Sequence, residues 1–242
     1  QAPACFHSCV GRIRYLGVLL YDADRIEETA KHPDHELVDA QREMILDPFN
    51  ENVIREAKKN GIADSTIKAA QESPVYKFVK DWGIALPPHV EYRTLPMLFY
   101  VPPMLPVMSS QEGDSVRSIN EEYFPDFEKA RTPIKYLAKM FGGGNESHLR
   151  YVLKKQSAIR AYRRAVTVGD IDMLDAEKAL IEADCTPQEA DKIYKLTSLC
   201  TFDDRFVIPA AHREEAIEMM KDPLEHKQEA GFGFRDAPAR GR

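Results

Sequence analysis

Short apolar runs, helical spacing and proline-broken stretches alternate along this chain. Tyr15-Leu-Gly-Val-Leu-Leu-Tyr21 is an apolar run of strand length. Asp22-Ala-Asp24 closes it and predicts a helix with Asp24 as its N-cap. Helical spacing follows over residues 25–31, 36–45, 51–59 and 65–72, separated by Pro33, Pro48 and Gly61. Asp47-Pro-Phe-Asn50 reads as a turn leading into a helix, and Asp64 or Ser65 as the cap of the next one. Residues 73–82 predict another helix, with Pro74 in its first turn and Gly83 just past its end.

Proline then changes the texture. Pro87, Pro88, Pro96, Pro102, Pro103 and Pro106 exclude a regular helix or a central strand over residues 86–107. The segment is expected to be extended, its apolar residues crossing another surface. Residues 109–126 are polar and acidic and read as an exposed loop. From about Phe127 the pattern is helical again. A helix over 132–141 stops at Gly142-Gly-Gly144, and the basic stretch 148–166 makes a second. Residues 172–183 make a third, and Thr186-Pro-Gln-Glu189 opens a fourth with capping-box spacing. Residues 203–209 read as extended, 212–221 as helical, and 222–242 as a polar, Gly-rich tail. The fold class expected is α+β, mostly helical.

Composition narrows the function classes. A formal charge of −6 over 242 residues argues against a general nucleic-acid binder. No apolar run approaches the roughly 18 residues that a membrane span needs, so membrane association would come through a partner. Four cysteines are too few and too scattered for a disulfide scaffold. Cys185 and Cys200 read as small buried apolar residues, with a disulfide between them as the alternative. Gln1 in place of Met, and a start in the middle of a cysteine motif, lead us to expect further sequence upstream.

That motif, Cys5-Phe-His-Ser-Cys9, is the one chemically charged feature. Iron–sulfur clusters take soft thiolate ligands, and ferredoxin-type runs end on two cysteines separated by three residues. The last cysteine of such a run ligates the other cluster of a pair. Val10 stands where the bacterial run has proline. Gly11 allows close backbone approach, and Arg12 and Arg14 offset the charge of thiolate-bound iron. Taken alone, two cysteines make half a site at best, and a free or paired thiol is the better reading of them. A zinc site would need more ligands than His7 adds. His32-Pro-Asp-His35 reads as solvent-exposed sequence. No hydrolase triad, phosphate loop or dinucleotide fingerprint is present. The basic stretch Lys154–Arg164 reads first as a solvated helix face, with docking of an acidic partner or of lipid headgroups as the alternative.

Cys9-Val-Gly-Arg-Ile-Arg-Tyr-Leu-Gly-Val-Leu-Leu-Tyr-Asp-Ala-Asp24 resembles the segment after the last cluster cysteines of respiratory nitrate reductase and nitrite oxidoreductase beta subunits. The likeness continues in Ala69-Ala-Gln-Glu-Ser-Pro-Val-Tyr76, Glu91-Tyr-Arg-Thr-Leu-Pro-Met97 and Tyr100-Val-Pro-Pro103. It extends to Asp204-Arg-Phe-Val-Ile-Pro209 and His212-Arg-Glu214. Residues 27–39 and 109–126 match poorly and are expected at the surface.

The resemblance implies an electron-transfer subunit holding three [4Fe-4S] clusters and one [3Fe-4S] cluster. Such a subunit relays electrons between a molybdenum-cofactor catalytic alpha subunit and a membrane gamma subunit bearing haem b. Cys5 and Cys9 would be the closing ligands of two different [4Fe-4S] clusters. No catalytic residue is implied. Residues 1–24 would be the tail end of a ferredoxin-like iron–sulfur domain and 25–126 a helical and proline-rich connecting region. Residues 127–221 would form a helical C-terminal domain and 222–242 a tail. The complex would be membrane-associated through its partner subunits, on a face the sequence leaves open. A related chlorate, selenate or dimethyl sulfide enzyme is one alternative, and a helical assembly module with no redox role is another.

Overall fold

A computed structural model describes residues 9, 13–17, 23–93, 98–103, 110–112, 115–117, 127–199, 201 and 203–207. Within them the chain is mostly helical, as the pattern predicts, with a small mixed sheet at its centre. Strand β1 (Arg14–Gly17) is the middle strand. It pairs antiparallel with β2 (Leu98–Tyr100), Tyr15 opposite Phe99, and parallel with β5 (Phe206–Val207), Leu16 opposite Phe206.

Four short helices follow β1: α1 (Ala23–Lys31), α2 (Leu37–Glu43), α3 (Glu51–Lys59) and α4 (Asp64–Glu72). Local chemistry sets most of their ends. Asn50 caps α3 by accepting from the backbone N–H groups of Asn52 and Val53, at 2.9 and 3.4 Å. Ser73 accepts from Val75 N–H at 3.2 Å and starts α5 (Pro74–Tyr76), whose proline costs nothing in the first turn. Two expected caps are corrected. Helix α1 opens at Ala23, which puts Asp24 inside the first turn, and α4 is preceded by Ala63 with no side-chain cap. An acidic first turn favours the positive helix end without a cap hydrogen bond.

The helix after Pro74 changes character part-way. Residues Lys77–Asp81 are π-helical, and the Arg42 side chain donates two hydrogen bonds to the Val79 carbonyl, at 2.8 and 3.1 Å. Gly83, at φ +64°, ends the element and lets the chain turn inward.

The proline-rich segment departs from expectation. Leu98–Tyr100 is a strand bonded on both edges: β1 lies on one side, and Leu86 exchanges two 2.8 Å backbone hydrogen bonds with Tyr100 on the other. Pro96 and Pro102 flank this strand, so none of its N–H donors is lost. Leu86, Phe99 and Val101 point into the protein's own core. Part of the expected acidic loop is likewise a hairpin, β3 (Ser110–Glu112) against β4 (Ser115–Arg117).

Helix α6 (Ile134–Phe141) ends at the three glycines, with Gly143 and Gly144 at φ +57° and +87°. Asn145 caps α7 (Glu146–Thr167), a long central helix against which α6, α8 (Met173–Glu182) and α9 (Pro187–Leu199) pack. Thr186 and Glu189 form the predicted capping box, their reciprocal bonds 2.9 and 3.3 Å long. Because neighbours surround α7, its buried residues run nearly all round it, from Leu149 to Ala165. Lys155, read in sequence as part of a solvated basic face, is only 2% exposed. Its Nζ donates to the Tyr151 hydroxyl at 3.0 Å. One apolar cluster runs from Tyr15 through Phe78, Trp82 and Phe99 to Ile193.

The 212–221 helix, the tail and Cys200 lie outside the described residues.

Candidate functional site

Cys9 precedes β1 by only a few residues, and β1 is the middle strand of the sheet. Ile13 accepts from Val101 N–H at 2.9 Å. Tyr15, fully buried, places its ring 4.3 Å from that of Phe78, which meets Trp82 edge-on at 5.1 Å. Aromatic pairs at such distances add to the burial of their apolar area. The strand that follows the cysteine motif is thus anchored in the core. Its thiol is half-buried and free.

Cys5, Gly11 and Arg12 lie outside the described residues. Arg14 stands on β1 opposite Tyr100. Among the described residues, no group of three or more His, Cys, Asp or Glu side chains could hold a metal ion. An iron–sulfur cluster takes four such ligands, and Cys9 is the single cysteine of the expected pair that the described residues include. The described residues place no second cysteine beside it.

The other sequence candidates resolve into structural roles. His32 and His35 both face Glu36, at 3.2 and 3.4 Å, as exposed surface pairs. Cys185 is buried with a free thiol, and burial pushes its pKa up to about 11. It therefore stays protonated and unreactive at neutral pH, as the reading of a small core residue expects.

Two arginines that sequence reasoning passed over organise the region around the motif segments. Arg93, in the left-handed conformation at φ +54°, donates to the Ala30 and His32 carbonyls at 2.5 and 2.6 Å. It also pairs with Asp34 at 2.6 Å, so it satisfies the C-terminal carbonyls of α1. Arg93 belongs to the Glu91–Met97 family motif, the one sequence signal that marked it. Arg42 pins the π-helical turn, as described above. Burial lowers its pKa, while Asp39 at 3.7 Å opposes the shift.

The comparisons with known proteins bear on the whole chain. Residues 104–184 match the family model for the respiratory nitrate reductase beta C-terminal domain. The nitrate reductase beta chain of Bacillus subtilis is 43% identical over 235 residues, 97% of this chain and 47% of that protein. The chain belongs to the respiratory nitrate reductase beta family.

Other similar proteins match over different extents. The respiratory nitrate reductase 1 beta chain of Escherichia coli is 43% identical over 98% of this chain and 44% of its own length. The chlorate reductase beta subunit of Ideonella dechloratans is 30% identical over 71% of this chain and 34% of its own. This member of the nitrate reductase beta family thus spans about half the length of the curated relatives it matches.

Proposed function

We propose that this chain works within the electron-transfer subunit of a molybdenum nitrate reductase or nitrite oxidoreductase complex. Electrons pass through iron–sulfur clusters between the catalytic alpha subunit and the haem-bearing gamma subunit. The observation that carries this reading is 43% identity to nitrate reductase beta chains across nearly the whole chain. The lower identity to a chlorate reductase beta subunit favours the nitrate and nitrite branch.

In this reading Cys5 and Cys9 close two different [4Fe-4S] clusters, and the remaining ligands, with the [3Fe-4S] cluster, belong to other parts of the subunit. Residues 1–24 form the tail end of a ferredoxin-like domain. The free, half-buried Cys9 thiol ahead of an anchored strand is consistent with that role. The rest of the chain, a connecting region over 25–126 and a helical domain over 127–221, is scaffold and subunit contact. It contributes binding and insulation, since the cofactors carry the redox chemistry. Among the described residues no helix is long and apolar enough to cross a membrane, so attachment to the bilayer runs through the partner subunits.

The test is the colour and iron content of the full-length subunit purified without oxygen. A brown protein that bleaches on reduction supports the relay. A colourless, iron-free protein that still assembles with its partners supports the helical assembly module instead.

A further inference from the structure

Asn60 is the one asparagine of this chain that glycine follows; glutamate or valine comes after Asn50, Asn52, Asn120 and Asn145. An asparagine amide can be attacked by the backbone nitrogen of the next residue, and a side chain on that residue hinders the approach. Gly61 has none. The described side-chain amides differ as well. Asn50 and Asn145 accept backbone N–H groups as helix caps, and Asn52 accepts from Arg55 at 2.8 Å. Asn60 is exposed, and its amide makes no hydrogen bond with any described residue.

The structure explains why glycine stands at this position. Asn60 closes α3 at φ −84° and ψ 10°, and Gly61 continues in the left-handed region at φ +77°. The Gly61 N–H donates to the Lys58 carbonyl at 3.0 Å, and the Ile62 N–H donates to the Ala57 carbonyl at 2.9 Å. These are the paired bonds of a glycine-terminated helix. A Cβ on Gly61 would meet nothing within 4 Å, so the glycine serves the turn and not close packing. The residue that ends the helix thereby also unshields the Asn60 amide.

The same turn holds the reaction back. Ring closure brings the Gly61 nitrogen onto the Asn60 Cγ, with Cβ and that nitrogen eclipsed about the Cα–C bond. A ψ of 10° does not allow this. Closure also takes the nitrogen from its bond to Lys58. The reaction therefore starts from a frayed helix end, and such ends open at small free-energy cost.

We propose that Asn60 is a site of spontaneous deamidation, gated by the opening of the last turn of α3. The Gly61 nitrogen gives up its proton and bonds to Cγ, the Cγ–Nδ2 bond breaks, and ammonia leaves. Water then opens the succinimide at either carbonyl and gives aspartate or isoaspartate. No oxidant or cofactor takes part. Either product sets a negative charge at the negative end of the helix dipole. Isoaspartate also lengthens the backbone by a methylene group and breaks the register of the two closing bonds. The Lys58–Asp64 ion pair, 2.9 Å long, spans the same turn, so the loosening extends toward α4. This chemistry is independent of the electron-transfer role, and either stands if the other fails.

The test incubates the purified, assembled complex in mildly alkaline buffer beside a synthetic peptide of residues 51–64. Mass spectrometry with electron-transfer fragmentation follows each asparagine and separates aspartate from isoaspartate. Asn60 should convert ahead of the other four asparagines, and roughly ten- to a hundredfold more slowly than in the peptide, as the opening of a helix end sets. Conversion at the peptide's rate, conversion of another asparagine first, or an Asn60 that stays intact throughout overturns the proposal. Ile62→Ser removes the half-buried side chain beside the second closing bond and should speed conversion several-fold, with circular dichroism showing the protein folded. An unchanged rate overturns the gating. Hydrogen exchange of the Gly61 amide in the unaltered complex reads the same opening independently. Its protection should match the slowdown to within about tenfold, and a wider mismatch overturns the gating too.

Discussion

Tyr15 on β1 and Phe78 in the π-helical turn hold their rings 4.3 Å apart, and both side chains are fully buried. This contact joins the strand that follows the cysteine motif to the centre of the core, across more than sixty residues of sequence. Phe78→Ala should therefore destabilise the protein by about 3–5 kcal/mol, the range for emptying a large aromatic site. Urea denaturation followed by circular dichroism measures it. A loss below 1 kcal/mol would mean that the contact does not anchor the strand.

Gly83 serves a packing purpose as well as a backbone one. A Cβ there would lie 2.8 Å from the Arg42 guanidinium, which holds the Val79 carbonyl. Gly144 also has positive φ but has nothing within 4 Å of its Cβ position. Gly83→Ala should then cost more than Gly144→Ala, by roughly 1–2 kcal/mol, the worth of displacing a charged hydrogen-bond donor. Equal costs would reduce Gly83 to its backbone conformation alone.

His148 ties acid sensitivity to the packing of α7 on α2. Burial lowers its pKa, while Asp39, 3.2 Å away, partly restores it and Arg42 opposes protonation. A histidine with a lowered folded-state pKa binds fewer protons folded than unfolded. Its effect on stability is absent well above the ordinary histidine pKa of about 6.5, and destabilisation grows as pH falls from there toward the folded-state value. His148→Gln should flatten the fall of the urea midpoint across that window. An unchanged pH slope would remove His148 as its source.

Local chemistry made much of this fold readable in advance. The turn at Asp47–Asn50, Pro74 in a first turn, the three-glycine stop and the Thr186–Glu189 box each depend on residues a few positions apart. What escaped depends on partners distant in sequence. Leu98–Tyr100 becomes a strand because β1 and Leu86 supply its hydrogen bonds, and flanking prolines hid that pairing. Phe99 and Val101, both buried two positions apart, carried the alternation that marks a strand. Gly113-Asp114 between Ser110–Glu112 and Ser115–Arg117 was the available signal for the hairpin. Lys155 is buried only because α7 is surrounded, which no single-helix pattern shows. Of the site, the sequence marked the cysteine pair and the basic helix. It did not show that Arg160, Arg163 and Arg164 share a cavity with the strand following Cys9, since that needs α7 and α9 packed against the sheet.

The central claim is that Cys9 ligates an iron–sulfur cluster, and replacing that one thiol tests it most directly. Electron paramagnetic resonance of the reduced, assembled complex should lose or alter the signal of one [4Fe-4S] cluster in Cys9→Ala, with the iron content falling accordingly. Cys185→Ala, at a buried protonated thiol, should leave the spectrum unchanged. A Cys9→Ala complex with the full spectrum and full iron content would contradict the assignment.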